Sequence, residues 1–381
     1  MSSIVVIGTG LAAFNLIKEF RKHDKETPVT MLTRDDGRNY SKPMLSNGFA
    51  KQKTADELVM ASAEKTAEAL NATIRTGVTV TAIDRAAKTV ALGDEKIAYD
   101  KLVLAQGADV FRPPLQGDGL DAVYAVNDLQ DYAKFRAALE GKKKVVVLGG
   151  GLIGCEFSND LILGGFEVAV IEPLGRCLPV LLPELASRAV EQGLRDAGVQ
   201  FHFGQFAESV NRDGDGVVVT LADGTQVAGD IVLSSVGLRP RIALASAAGL
   251  SINRGVVVDH ELRTSDENVF ALGDCAEVVG LVLPYILPLM SASRALAKTL
   301  AGEVTRVSYG VMPVTIKTPA CPVVVCPPAP NVEGHWQEEG EGLNIKALFK
   351  DADGNLHGYA LTGEAGAEKQ ALNKLLQPLL P

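Results

Sequence analysis

The chain has 381 residues, 47% hydrophobic and 22% charged, with 38 Gly, five Cys and a formal net charge of −9. That is room for two or three domains with sizeable cores, and the composition excludes disorder. The negative balance argues against a nucleic-acid partner, no apolar run approaches the ~18–20 residues of a bilayer span, and the cysteines lack metal-site spacing, so a cytoplasmic protein without a metal site, a disulfide framework or a membrane partner is expected.

The first elements are a strand from Ile4 to Ile7, a glycine turn, a helix from Leu11 to Arg21 and a strand from Val29 to Leu32, a βαβ unit. Residues 74 to 93 alternate like antiparallel strands, and "YDKLVLAQGA" at 99 to 108 reads as a buried strand ending in glycine. "FRPPLQG" then reads as a crossing linker, because proline enforces extended backbone and breaks pairing. A second block repeats the logic: a strand from Val145 to Leu148, a turn through Gly149 to Gly154, a helix to about Leu163 and a strand from Glu167 to Ile171. A hairpin through Asp223-Gly224 and a buried strand closing at Gly237 complete it. The chain therefore carries an internal repeat at domain scale. Beyond it come a strand from Val269 to Leu272, a tight Gly273-Asp274 turn, a helix from about Ser291 to Ala301 and a final small α+β unit.

A glycine turn between strand and helix lets backbone approach a pyrophosphate whose charge meets the helix N-terminus, and an acid at the tip of the next strand holds the ribose. The second block has Gly149, Gly151 and Gly154, with Glu172 near the ~20-residue spacing. A negative Glu172 disfavours the extra phosphate of NADPH and so favours NADH, although Arg176 nearby is of the type that accepts a 2′-phosphate. The first block has Gly8 and Gly10 but Ala13 in the third place, and Thr33, followed by Arg34 and Asp35, where the acid is expected.

With "YSKPMLS" at 40 to 46, "LVLAQGA" at 102 to 108, "VGLRP" at 236 to 240 and "TSDENVFALGDCAE", the two turns give a chain that resembles the two-dinucleotide-binding-domain flavoprotein reductases over nearly its whole length. The resemblance implies an α/β fold with two Rossmann-like three-layer domains and a small C-terminal α+β domain. It places FAD in segments 1–110 and 239–318, NAD(H) in 111–238 and an interface domain in 319–381, in a monomer or weak dimer. By resemblance FAD contacts Thr9, Gly10, Leu11 and Ala12 through its pyrophosphate, Thr33 and Arg34 through its adenosine ribose and Val80 through adenine. Asp274 takes the ribitol, and Lys42, Glu156, Ile286 and Lys317 lie around the isoalloxazine. NADH falls to Gly149, Gly151, Leu152, Ile153, Gly154, Glu172 and Gly237.

Three branches of the family separate on single residues. Disulfide reductases need a dithiol in the first domain, and no cysteine precedes Cys155. The peroxidase and oxidase branch needs a cysteine where Asn47 stands. Lys42, Gln106 and Lys317 depart from the ferredoxin reductase pattern toward the rubredoxin reductases, which implies electron delivery from NADH through FAD to rubredoxin, feeding alkane hydroxylation or a similar system. A ferredoxin reductase and a flavin-bound NADH sensor remain as alternatives. Lys42 is the expected cation at the flavin edge, with Glu156 as its partner, stabilising negative charge that develops there. Cys321 and Cys326, five apart on a Pro-flanked strand, are expected on opposite faces as buried small hydrophobes.

Overall fold

The computed structural model describes residues 3–381. Two five-stranded parallel sheets dominate it. The first runs in the order Val269–Ala271, Lys101–Leu104, Ile4–Ile7, Val29–Leu32 and Thr73–Arg75. The second runs Val123–Tyr124, Ile231–Ser234, Lys144–Leu148, Glu167–Glu172 and Gln200–Phe203. Ile4–Ile7 and Val145 to Leu148 are buried throughout. This is why they read as continuous apolar runs: a central parallel strand is covered on both faces.

Each sheet is accompanied by a three-stranded antiparallel meander, Ala82–Asp84, Thr89–Leu92 and Glu95–Ala98 in the first unit, Ala207–Asp213, Gly216–Leu221 and Gln226–Gly229 in the second. The alternating stretch anticipated at 74 to 93 thus divides, because Thr73–Arg75 joins the parallel sheet and the meander begins only at Ala82. A strand of three residues is too short for alternation to declare its partner.

The second unit is an insertion, since the last strand of the first sheet, Val269–Ala271, follows it in sequence. The outgoing and returning crossings pair with each other as an antiparallel ribbon, Ala108–Val110 against Leu238–Pro240. Downstream, the helix expected from Ser291 begins at Ile286 and runs to Leu300. Pro288 falls in its first turn, where an amide without a proton costs no intrahelical bond.

The C-terminal sheet is antiparallel, ordered Val314–Ile316, Val323–Cys326, Leu356–Thr362, Asn344–Lys350 and His335–Glu341, with a short helix Lys369–Asn373 behind it. Val314–Ile316 lies ahead of residue 319 in sequence and still belongs to this sheet. Trp336 packs edge-on against Phe349 at 5.4 Å. Cys321 and Cys326 are unpaired and fall in different apolar clusters, and burial pushes both thiols up to about 11. Among the described residues no helix is long and apolar enough to cross a membrane.

Candidate active site

A cavity of about 830 Å³ opens where the three units meet, and every residue expected on the flavin side lines it: Thr9, Gly10, Leu11, Ala12, Thr33, Arg34, Lys42, Val80, Glu156, Asp274, Ile286 and Lys317. Its electrostatics come first from the backbone. Helices Leu11–Phe20, Leu152–Leu163 and Ile286–Leu300 all place their first residues in its wall. None of the three has a side-chain cap or an acid in its first turn. Each contributes amide protons and a partial positive charge, so the wall is set for an anionic ligand.

The first glycine turn brings backbone close to backbone at one glycine and leaves space at another. Gly8 has φ +120°, and a Cβ there would stand 2.2 Å from the Ala105 carbonyl oxygen. Gly10 is different: a Cβ there meets no protein atom within 4 Å, so glycine leaves cavity space and not packing space. An acid does stand near the end of the second strand, Asp35. Its Oδ1 accepts from Thr33 Oγ1 at 2.7 Å, Thr9 Oγ1 at 3.2 Å and Gly37 N at 2.9 Å, and the residue lines the cavity. The sequence "TRDD" carried this signal, displaced by two residues from the usual place.

The cavity's polar groups fit a flavin dinucleotide. Gln106 Oε1 is buried in the wall with no partner, an acceptor in need of a hydroxyl or imide proton. Lys42 Nζ donates to Asn127 Oδ1 at 2.8 Å and stands 3.8 Å from Asp274. Desolvation holds its ammonium below the ordinary lysine range, with Asp274 opposing that shift. A bound anion would relieve the same penalty.

The expected pairing of Lys42 with Glu156 is not what forms. Glu156 is 2% exposed and pairs with Lys317, whose ammonium contacts Oε2 and whose backbone N–H donates to Oε1 at 2.9 Å. Ser46 Oγ donates to Oε2 at 2.7 Å. Lys317 wins because it follows the strand Val314–Ile316, and the C-terminal sheet lays its backbone against the Glu156 helix; Lys42 is held across the cavity by Asn127 and Asp274. The same helix face clasps two more segments. Asn159 Oδ1 accepts from Ala320 N at 3.0 Å, and Asp160 accepts from Phe49 N at 3.0 Å and Ala50 N at 2.9 Å. Burial pushes the Asp160 carboxyl above the usual range, with those amides opposing it. Helix Leu152–Leu163 therefore fixes the inserted unit to both of its neighbours.

On the other face of that helix's N-terminus lies the second glycine turn. Gly149 has φ +98°, and its Cβ would meet the Ser235 carbonyl oxygen at 2.8 Å. A Cβ on Gly154 would meet Gly149 O at 1.9 Å, so the third glycine is required for helix to strand contact, where the first turn accommodates Ala13. Gly151, like Gly10, faces open space. Leu152 and Ile153 reach the flavin-side cavity, whereas Gly149 lines a second cavity of about 560 Å³ with Pro173, Phe206 and Val236. Gly237, φ +118°, has open space at its Cβ position. Glu172 is buried and braces the turn: Oε2 accepts from Gly150 N at 2.6 Å and Oε1 from Leu174 N at 2.7 Å. Arg176 donates to Pro179 O at 3.2 Å. Glu172→Gln should raise the kcat/KM ratio of NADPH to NADH about tenfold, the effect of losing ~1–2 kcal/mol of charge repulsion, and should lower kcat/KM for both nucleotides, because its NH2 meets one of the two backbone N–H groups that brace the turn. Initial rates with the two nucleotides check this.

Sequence reasoning gave no site role to several polar wall residues, among them Asp35, Ser46, Asn127, Arg241 and Lys369. Apart from Asp35, each arrives from an element outside the glycine motifs.

Comparison with known proteins agrees with this geometry. The family model described as pyridine nucleotide-disulphide oxidoreductase matches residues 2–334, and one described as rubredoxin binding C-terminal domain matches residues 306–376. The chain is 64% identical to the rubredoxin-NAD(+) reductase of Alcanivorax borkumensis, covering 100% of both chains. It is 42% identical to the enzyme of that name from Acinetobacter baylyi, covering 100% of this chain and 99% of the other. Among solved structures, the reductase in a covalent putidaredoxin reductase-putidaredoxin complex superimposes with a TM-score of 0.88 at 24% identity, over 99% of this chain and 94% of that one. That last likeness speaks to the fold.

Proposed function

Because the chain belongs to the pyridine nucleotide-disulphide oxidoreductase family, we propose that it is an NADH-dependent FAD reductase of rubredoxin, serving alkane hydroxylation or a comparable rubredoxin-fed system in the cytoplasm. The observation that carries this reading is the convergence of three uncapped helix N-termini on one cavity, with the second glycine turn on the helix that also forms its wall. Bound FAD would supply the chemistry, accepting the electron pair of NADH and releasing electrons singly to an iron centre.

The chain's own residues bind, orient and shield. Gly10 and Leu11 would present amides to the pyrophosphate, and Thr33 and Arg34 would hold the adenosine ribose. Asp274, Asn127 and Lys42 form a polar corner at the ribitol. Ile286 and Leu287, 40% and 43% exposed, turn apolar surface into the cavity and suit a planar ring. Ser46, Glu156 and Lys317 form one hydrogen-bonded group that sets a cation at the ring's edge without leaving the carboxylate unpaired. The absence of cysteine at position 47 leaves no thiol there for peroxide chemistry.

Lys369 reaches the cavity from the C-terminal helix, within the segment matched by the rubredoxin-binding model, and gives the rim a positive charge for an acidic partner. Steady-state reduction of rubredoxin should exceed that of a [2Fe-2S] ferredoxin at equal concentration and should slow as salt rises. A preference for ferredoxin would overturn the acceptor. A long-lived reduced complex that turns over neither would instead favour a sensor.

A further inference from the structure

We propose that Arg241 is a diphosphate-holding residue of the flavin cavity, delivered to it by the returning inter-domain crossing. Arg241 follows Leu238–Pro240, which pairs with Ala108–Val110 so that Pro240 stands opposite Ala108, and its backbone N–H donates to Gly107 O at 3.0 Å. The side chain emerges into the cavity wall. Nε donates to Asp109 Oδ1 at 2.6 Å and Nη1 to Gln106 O at 2.7 Å. Nη2 has no protein acceptor among the described residues. A guanidinium held at Nε and Nη1, on a residue that lines the cavity, keeps Nη2 available to an oxyanion.

Its place along the cavity says which part of the ligand it meets. Asp109 Oδ1 also lies 3.7 Å from Arg34 Nη2, at the adenosine end. At the other end, Arg241 is among the charges that lower the ammonium of Lys42, which neighbours Asp274 at the ribitol. Arg34, Arg241 and Lys42 thus line, in that succession, the same cavity as the turn from Gly8 to Leu11. The middle of that succession corresponds to the middle of a dinucleotide, its diphosphate. Asp109 offsets part of the charge of these cations, and because it is 59% exposed the offset is that of a solvated surface pair. The first glycine turn would supply amides to the diphosphate, and Arg241 would add a cation. Cofactor occupancy then bears directly on the ribbon that joins the two nucleotide domains.

The assignment rests on the flavin reading above, and apoprotein binding separates the two. FAD uptake is followed by quenching of flavin fluorescence, and ADP and adenosine are titrated calorimetrically. Arg241→Gln should weaken FAD and ADP about tenfold or more and leave adenosine unchanged, because only the first two carry a diphosphate. Asp109→Asn, which removes the arginine's protein partner and keeps the cation, should stay within about threefold of wild type. Equal FAD and ADP affinity in wild type and Arg241→Gln overturns the assignment. So does an equal loss for adenosine, which would make Arg241 a structural clip. Should Arg241→Gln give no folded apoprotein, Arg241→Lys decides: a several-fold loss for ADP with adenosine unmoved supports the proposal, and unchanged ADP affinity overturns it. Wild-type apoprotein that takes up no FAD at all would sink the flavin reading itself.

Discussion

A Glu156→Leu variant should lose about 3 kcal/mol of stability, the lower end of the cost of removing one partner from a buried ion pair. Glu156 is 2% exposed and accepts three hydrogen bonds, from Ser46 Oγ, Lys317 N and Lys317 Nζ. Leucine fills a similar volume and accepts none. The Lys317 ammonium, with 26% of its side chain exposed, can turn toward the cavity, which holds the loss down. Its backbone N–H has no such freedom, and an unsatisfied buried donor costs ~1–3 kcal/mol by itself. Urea unfolding at neutral pH should therefore show a lower midpoint with an unchanged slope. The double variant with Lys317→Met should be less destabilised than the sum of the two single changes, by about 1–2 kcal/mol, because the second change removes the cation that the first strands. Turnover should fall at least tenfold in Glu156→Leu, since Ser46 and Lys317 both line the cavity and a displacement of about 1 Å near a reacting centre costs up to a hundredfold. Additive losses in the double variant would mean that the pair does not act as a unit.

What the sequence showed of this fold was whatever is decided locally. Ile4–Ile7 and Val29–Leu32 were legible to the residue because the first is a run of buried apolar side chains stopped by glycine and the second a mostly buried, β-branched-rich stretch between Pro28 and polar Thr33. The insertion was legible from the repeat of strand, glycine turn and helix. The start of the Ile286 helix was not, since Pro288 reads as a break until its place in the first turn is known. At the site, the glycine turns could be found from spacing alone. The partner of Glu156 could not, because two lysines, at 42 and 317, were equally available to it and only the packing of the C-terminal sheet chooses between them. Arg241 was hidden for a related reason. Its direction is set by pairing of two crossings more than a hundred residues apart in sequence. Contacts within one element leave a periodic trace, whereas contacts that join three units leave none.

The duplication makes its own reciprocal prediction. Gly10 and Gly151 are N-cap residues with φ −78° and −75°, and a Cβ at either meets no protein atom within 4 Å. Alanine is thus compatible with the folded backbone at both positions, and the added methyl projects into space that only a ligand would occupy. Gly10→Ala should weaken FAD binding to apoprotein about ten- to a hundredfold, the effect of ~1–3 kcal/mol of overpacking against a backbone that cannot retreat. Its apo melting temperature should match wild type. Gly151→Ala should retain full flavin content and raise the KM for NADH by a similar factor, with little change in apo stability. The contrast with Gly154→Ala sharpens the reading, because there the methyl would lie 1.9 Å from Gly149 O and the helix itself must move. That variant should lose stability as well as NADH affinity. If Gly10→Ala and Gly151→Ala exchanged phenotypes, the assignment of the two turns would be reversed. If neither changed ligand affinity, the open space beside these glycines would belong to water, and the nucleotides would lie elsewhere.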